Sequence, residues 1–306
     1  MGINTKEKRV LSSDGIHNLC GVVYLPEGAP KGIFHLVHGM TEHIGRYEKL
    51  LSFIASAGYV ACGFDNLGHG KTAGKGEYGF IAEKDGYKYL IDDVMRFGDA
   101  IKQDYPDLPY YLMGHSMGSF IVRLTAQKYP KSIDKLIICG TGGPNPVAGA
   151  GILLCNIIML FKGKRAYSSF LENMAFGTYN KRFAGENDKY SWLTKDESVR
   201  RAYAADKYCT FRFTLSALKD LIKLNSLSNS AAWFKGMRKD LPILLISGEE
   251  DPVGDYGKGV KAVYDKLKAN GCNVDMHLYK DCRHEIHNDT CREQSAQDIL
   301  DFIKND

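Results

Sequence analysis

The chain of 306 residues lacks any apolar run long enough to cross a bilayer, for which about 20 residues are needed. Its most apolar stretch, Ile152 to Phe161, has only about half that length. The first ten residues are polar and charged, so the sequence shows no secretory signal peptide. We therefore expect neither a membrane-spanning segment nor export by the usual signal.

Cysteine pairs with metal-binding or redox spacing are also missing. The eight cysteines are Cys20, Cys62, Cys139, Cys155, Cys209, Cys272, Cys282 and Cys291. We interpret them as reduced thiols, which fits a cytoplasmic location, although the even count leaves room for one or two disulfides. No metal and no organic cofactor is expected.

A concentrated charge of one sign is the third absence. The formal net charge of +4 comes from Lys and Arg residues spread along most of the chain. Nucleic-acid-binding proteins usually gather such residues into a stripe or patch, so a nucleic-acid partner is not expected.

Short apolar runs alternate with helical patterns from residue 31 to residue 146, and the alternation resumes at Pro242. Strands are predicted at Gly32 to Val37, Tyr59 to Phe64, Tyr110 to Met113, Lys135 to Cys139, Ile243 to Ser247 and Val274 to Tyr279. Helices are predicted between them and at the end of the chain, because apolar residues recur there every three or four positions. This order is typical of a mostly parallel central sheet flanked by helices. Arg9 to Leu25 adds two antiparallel strands.

Residues 142–239 interrupt the alternation, since this stretch is helical and rich in aromatic residues. We predict a helical cap inserted into the core. The domain organisation is then 1–141 for the first part of the core, 142–239 for the cap and 240–306 for the second part.

Gly114-His115-Ser116-Met117-Gly118 follows a predicted strand and opens a helix. A G-x-S-x-G motif in this context is a nucleophile elbow, in which two glycines permit a sharp turn and the serine hydroxyl is exposed. The motif indicates α/β-hydrolase chemistry with Ser116 as nucleophile.

A serine hydroxyl is a weak nucleophile, so it needs a general base and an acid that orients that base. In α/β-hydrolases the chain order is serine, acid, histidine. Asp251 and His284 each follow a predicted strand in that order. They compete with Glu249, Glu250 and Asp255 for the acid, and with His277 and His287 for the base.

An oxyanion hole needs two main-chain N–H donors. One is expected from Met117, the residue after the nucleophile, and the other from Met40 in the loop that follows the first parallel strand. Gly39 would let this loop approach the serine closely.

Four segments together resemble the monoglyceride lipase and lysophospholipase branch of the α/β-hydrolases, also grouped with serine aminopeptidase-like hydrolases. They are His38 to His43 with Gly45 to Tyr47, Asp65 to Gly70, Gly114 to Gly118, and Asp251 with His284. The resemblance covers nearly all of the chain outside the cap. Within these segments Glu42, His43, Asp65 and His69 are interpreted as loop-bracing residues.

The resemblance implies a carboxylic-ester hydrolase that acts through an acyl-enzyme on a monoacyl lipid, such as a monoacylglycerol or a lysophospholipid. A short-chain or aryl esterase and an acyltransferase remain alternatives. The apolar run Ile152 to Phe161, followed by basic residues, is expected either to line an acyl tunnel, to contact a membrane surface transiently, or to serve as a core helix of the cap. The oligomeric state is left open.

Overall fold

The computed structural model describes residues 3–305. The predicted domains begin at residue 1 and end at residue 306, so these two outermost boundaries lie outside the described residues. One eight-stranded sheet runs through these residues in the order β1-β2-β4-β3-β5-β6-β7-β8. The strands are β1 Asn4–Leu11, β2 Asn18–Leu25, β3 Ile33–Val37, β4 Val60–Phe64, β5 Tyr110–His115, β6 Lys135–Cys139, β7 Ile243–Gly248 and β8 Val274–Tyr279. The pairings of β1 with β2 and of β2 with β4 are antiparallel, and the others are parallel.

Helices cover both faces of the sheet. They are α1 Glu48–Ser56, α2 Gly86–Lys102, α3 Met117–Lys128, α4 Ala148–Lys162, α5 Ser169–Phe176, α6 Glu197–Ala205, α7 Leu215–Ser228, α8 Ala231–Gly236, α9 Lys258–Ala269 and α10 Arg292–Lys304. Short 3-10 helices occupy Ile44–Tyr47, Lys181–Glu186 and Ile286–Asn288. The predicted fold class, a mostly parallel sheet flanked by helices, is confirmed.

The central strands are buried along their whole length, as expected for parallel strands covered on both faces. Two hydrophobic clusters fill the space on either side of the sheet. One packs α2, α3 and α9 against it around Phe97 and Ile121, and the other packs α1 and α10 around Leu51 and Ile299. Because the parallel strands share one direction, their carboxyl ends meet at a single edge.

The six strands predicted for the parallel part of the sheet agree with the observed ones to within two residues at either end, and the predicted N-terminal antiparallel pair is present as β1 and β2. The largest departures are at β1, which begins at Asn4 rather than Arg9, and at β5, which continues to His115. The two added residues of β5 bring the strand directly to Ser116.

Residues 142–239 contain α4 to α8 and none of the eight strands described above. Helix α7 packs against α2 and α3 of the core as well as against α4. Its inner face carries buried Leu218 and Leu224, which belong to the same hydrophobic cluster as the core helices. The inserted segment is therefore anchored to the core through α7.

Helix α4 leaves much of its apolar surface uncovered. Leu160 and Phe161 are 84% and 85% exposed, while Cys155 on the opposite face is buried. Within residues 3–305 no helix is both long enough and apolar enough to cross a membrane.

The structure joins Cys282 and Cys291 by a disulfide, which corrects the expectation of reduced thiols for this pair. The two residues lie on either side of His284 in the loop after β8. The other six cysteines are free, and five of them are buried.

Candidate active site

Ser116 occupies the sharp turn between β5 and α3. Its backbone has φ 54° and ψ −120°, a conformation that residues other than glycine rarely adopt. The turn is held by a hydrogen bond from the Ser116 N–H to the Cys139 carbonyl at 3.0 Å. The strained turn raises the serine at the carboxyl edge of the sheet, which is the geometry of a nucleophile elbow.

The two glycines of the motif are sterically required. A Cβ at Gly114 would collide with the carbonyl oxygen of Gly118, and a Cβ at Gly118 would collide with that of Val37. Both collisions are with main-chain atoms of adjoining elements, which cannot move aside cheaply. The sequence pattern around Ser116 is thus explained by local packing.

Asp251 and His284 lie together, as the chain order predicted. His284 Nδ1 is 3.0 Å from Asp251 Oδ2, and both side chains are almost fully buried. Asp251 also accepts hydrogen bonds from Ser247 Oγ at 3.1 Å and from the Val253 N–H at 2.8 Å. Burial alone would raise the pKa of Asp251, but His284 and these donors outweigh it and hold the pKa below its usual value.

The competing acids and bases lie elsewhere. Glu250 forms an ion pair with Lys195 at 3.3 Å, and His277 on β8 pairs with Asp298 at 3.0 Å. The ring of His287 stacks on Tyr47, with the ring centres 4.4 Å apart. Asp255 does line the cavity described below, but it is Asp251 that contacts His284.

Gly39 and Met40 lie in the loop after β3, beside the elbow. A Cβ at Gly39 would come within 2.9 Å of Ser116 Cβ, so only glycine allows this close approach. Met117 is the first residue of α3, whose leading N–H groups have no partner within the helix. Met40 and Met117 both line the same cavity as Ser116. The loop and the helix start thus flank the serine.

Glu42 holds the loop of Gly39 and Met40 in place through hydrogen bonds. Its Oε1 accepts hydrogen bonds from the Gly39 N–H at 2.5 Å and from the Tyr47 hydroxyl at 2.8 Å. Burial would raise the pKa of Glu42, but His115 and Arg46 hold it well below the usual range, so the side chain is a carboxylate. This is the bracing role predicted from the sequence.

The other three motif residues also make loop contacts. Asp65 accepts hydrogen bonds from the N–H groups of Ile44 and Lys71, and His43 pairs with Asp206 of the inserted segment. Burial lowers the pKa of His69 to about 3, which keeps the ring neutral. Its Nε2 can then accept from the Thr41 N–H, 3.3 Å away.

Three further residues near the site were missed by sequence reasoning. His115 lies between Glu42 and the loop of His284, with Nδ1 3.2 Å from Glu42 Oε1 and Nε2 3.2 Å from the His284 carbonyl. Arg46 forms a two-pronged ion pair with Glu285, the residue after His284, at 2.6 and 2.7 Å. These contacts tie the loop of Met40 to the loop that carries His284.

A cavity of about 1300 Å³ opens beside Ser116 and His284. More of its wall is apolar than polar, and Phe120, Phe176 and Leu218 are among the apolar side chains that line it. Glu42 and Glu285 provide polar atoms at the end near the serine. The volume exceeds the 300–1,000 Å³ typical of small-molecule pockets.

The expectation that Ile152 to Phe161 lines an acyl tunnel is wrong in this structure. Among the described residues, those that line the cavity include 144–146 and parts of 169–177, 209–213 and 218–225, but none from α4. Helix α4 is turned so that Leu153, Ile157, Leu160 and Phe161 face outward.

Comparison with known proteins agrees with this geometry. The family model described as serine aminopeptidase, S33, matches residues 28–291. Mouse monoglyceride lipase is 25% identical over 282 residues, covering 91% of this chain and 83% of that protein. The monoacylglycerol lipase of Mycolicibacterium smegmatis is 25% identical and covers 96% of this chain and 98% of that protein.

Among solved structures, a thermostable carboxyl esterase from Bacillus coagulans, in complex with glycerol, superimposes with a TM-score of 0.92 at 32% identity. The alignment covers 99% of this chain and 98% of that one. The chain therefore belongs to the serine aminopeptidase, S33, family, in its monoglyceride lipase-like branch, and is a carboxylic-ester hydrolase with the α/β-hydrolase fold.

Proposed function

We propose that the chain hydrolyses monoacyl lipids, either monoacylglycerols or lysophospholipids, through an acyl-enzyme formed on Ser116. The observation that carries the proposal is the large cavity beside Ser116, whose wall is more apolar than polar and includes Glu42 and Glu285. A single acyl chain with a small polar head suits a cavity of this size and mixed lining. The names of the lipase relatives and the glycerol in the Bacillus coagulans esterase point the same way.

In the proposed reaction Ser116 Oγ attacks the ester carbonyl while His284 Nε2 takes the hydroxyl proton. His284 then gives the proton to the leaving alcohol, which departs and leaves the acyl group on Ser116. Water, activated by the same histidine, releases the fatty acid. Asp251, hydrogen-bonded to Nδ1, orients the ring and stabilises its positive charge. These steps use only side chains of this protein and water.

The main-chain N–H groups of Met40 and Met117 are the proposed oxyanion donors. Negative charge develops on the carbonyl oxygen as the tetrahedral intermediate forms, and donors fixed in advance stabilise it without reorganisation. The position of Met117 at the start of α3 adds the favourable end of the helix dipole. Glu42 and His69 would contribute by keeping the loop of Met40 in place.

The exposed apolar surface of α4 supports a second part of the proposal, transient contact with a membrane surface. Leu153, Ile157, Leu160 and Phe161 are exposed, and Lys162 follows them. Apolar side chains next to basic ones favour insertion at the boundary between lipid tails and headgroups. A lipid substrate would then reach the cavity from the bilayer.

The cytoplasmic location and the cap boundaries 142–239 stay predictions.

The substrate class can be tested with esters of rising chain length. We expect kcat/KM to climb severalfold for each two-carbon extension until the cavity is filled, because each buried CH₂ contributes up to about 0.8 kcal/mol. Monoacylglycerol and lysophosphatidylcholine, compared at equal acyl chain, would separate the two lipid classes. An optimum at two to four carbons would favour a short-chain esterase instead.

The assignment of the nucleophile can be tested independently. A fluorophosphonate probe should label the wild-type chain and fail to label Ser116→Ala. Ser116→Ala and His284→Ala should each lower kcat by roughly 10⁴-fold, and the double variant should be little worse, because the residues act as a unit. Multiplicative losses would contradict the assignment. New esters formed with added glycerol would indicate acyl transfer.

A further inference from the structure

A cluster of three potential metal ligands lies where the inserted segment meets the loop that carries Met40. His43 comes from that loop, and Asp206 and Cys209 follow α6. One ligand atom from each lies within 4.8 Å of the other two. None of the three has a role in the reaction proposed above.

We propose that His43, Asp206 and Cys209 form a binding site for Zn²⁺. The bound ion would join the inserted segment to the loop that carries Met40 and slow hydrolysis. Imidazole, carboxylate and thiolate are all common zinc ligands. Three protein ligands leave the fourth tetrahedral position for water.

The spacing of two ligand atoms already suits a shared metal ion. His43 Nε2 and Asp206 Oδ2 are 2.9 Å apart and share a hydrogen bond. Ligands about 2.0–2.1 Å from a tetrahedral zinc lie roughly 3.3 Å from each other. Replacing the shared proton by Zn²⁺ therefore needs a shift of only a few tenths of an ångström between these two atoms.

The other two ligands are held in place by their own turn. The Tyr208 N–H donates to Asp206 Oδ1 at 2.8 Å, which leaves Oδ2 directed towards His43. The Cys209 N–H donates to the Asp206 carbonyl at 3.0 Å, closing a tight turn that places the thiol beside the carboxylate. Outer contacts of this kind orient metal ligands and strengthen binding.

The charges around the cluster tolerate a divalent cation. Arg46 lies near Cys209, but its guanidinium is already paired with the carboxylates of Glu285 and Glu42. Asp206 adds a further carboxylate, which among the described residues forms an ion pair only with His43. Burial raises the pKa of the Cys209 thiol, but coordination to zinc deprotonates a thiol outright. Its proton passes to solvent, and binding should weaken at low pH.

The expected effect on activity rests on the proposed function. His43 is three residues from Met40, and Cys209 lines the cavity beside Ser116. A metal ion bound to His43 on the loop of Met40 and to Cys209 on the inserted segment would hold the two together. Substrate would then enter the cavity more slowly. Zinc should therefore act as a reversible inhibitor that a chelator removes.

Binding can be measured directly by competition between the full chain and a chromophoric zinc chelator. We expect one Zn²⁺ per chain, and at least tenfold weaker binding in His43→Gln and in Cys209→Ser. Matched controls are His277→Gln, which alters a surface histidine paired with Asp298, and Cys272→Ser, which alters a buried free thiol. These controls should bind as the wild type does. Equal affinity in all five proteins would overturn the site.

A second cluster, His115, Cys139 and His287, lies buried behind His284 and gives the experiment a rival location. Loss of zinc binding in His287→Gln, with binding retained in His43→Gln and Cys209→Ser, would overturn the proposal in favour of that cluster.

Inhibition is measured as the ratio of the hydrolysis rate with Zn²⁺ to the rate without it. Each variant is compared with its own rate in the absence of Zn²⁺. The wild type should be inhibited and recover fully with chelator, whereas Cys209→Ser should need at least tenfold more zinc. Inhibition of Cys209→Ser at the wild-type zinc concentration would overturn the regulatory role. Fluorophosphonate labelling of Ser116 in metal-free protein tests the hydrolase proposal separately.

Discussion

The phenol of Tyr203, in α6, donates a hydrogen bond to the main-chain oxygen of Thr41 at 2.9 Å. Thr41 has φ 52°, which is unusual for a β-branched residue, and it directly follows Met40. A side chain of the inserted segment therefore helps to hold a strained loop conformation at the proposed oxyanion donor. This contact therefore couples the position of that segment to the loop that carries the proposed oxyanion donor.

Tyr203→Phe should lower kcat by about fivefold, because one hydrogen bond contributes about 1 kcal/mol to holding the loop. The aromatic ring, over which Arg46 lies at 4.8 Å, is retained in this variant. Steady-state kinetics on a short soluble ester would measure the effect. Tyr190→Phe removes a hydroxyl from the ring that packs on Tyr203 and should have little effect. An equal loss in both variants would contradict the loop argument.

Asp251→Asn should lower kcat by roughly 10³- to 10⁴-fold, because an amide favours the wrong imidazole tautomer and does not stabilise the imidazolium. The kinetic constants should be measured together with the circular dichroism spectrum, which shows whether the fold persists. Glu250→Gln is the matched control, since Glu250 is adjacent but pairs with Lys195. A larger loss at Glu250 would move the acid role there.

The sheet and the positions of Ser116, Asp251 and His284 were predictable because each depends on a local pattern. A buried strand followed by a polar loop is visible within about ten residues, and the common direction of parallel strands brings the loops to one edge. The contacts of His115 were not predictable in this way. Its partners Glu42 and His284 are 73 and 169 residues away along the chain. Only the fold shows that they meet.

The sequence also did not predict which side of helix α4 is buried. The helix is apolar nearly all round, so periodicity does not select the buried side. Packing of α4 against α7 buries Cys155 and turns Leu160 and Phe161 outward. The predicted tunnel lining failed for this reason, and the helix extends beyond the apolar run, from Ala148 to Lys162.

Asp220 is buried in α7 beside Gly86 at the start of α2, and its Oδ2 has no hydrogen-bond partner among the described residues. Burial raises its pKa to about 6, above the usual value of 3.8. Between the pKa of Asp220 in the unfolded chain and its higher pKa in the folded chain, the folded chain binds more protons than the unfolded chain. The contribution of protonated Asp220 to the free energy of unfolding is therefore lost as the pH rises from about 4 through about 6.

Asp220→Asn should therefore raise the free energy of unfolding by roughly 2 kcal/mol at pH 7, because the neutral amide avoids the cost of burying a charge. At pH 4 the difference between variant and wild type should shrink. Urea unfolding from pH 4 to 7 would measure both. Asp85→Asn is the control of opposite sign, since Lys223 holds the pKa of Asp85 below its usual value. A gap for Asp220→Asn that widens at low pH would contradict the assignment.

The exposed apolar end of α4 gives the most direct test of membrane contact. Leu160→Ser with Phe161→Ser should weaken binding to phosphatidylcholine vesicles by about thirtyfold, because removing two partly inserted side chains costs roughly 2 kcal/mol. Vesicle sedimentation measures the binding. Turnover of a water-soluble ester should stay at the wild-type rate, since neither side chain lines the cavity. Ile16, 77% exposed between β1 and β2, supplies the control Ile16→Ser, which removes an equally exposed apolar side chain from another surface. If Ile16→Ser weakened vesicle binding as much as the double variant, the contact would be non-specific; a loss confined to α4 would show that this helix meets the lipid surface.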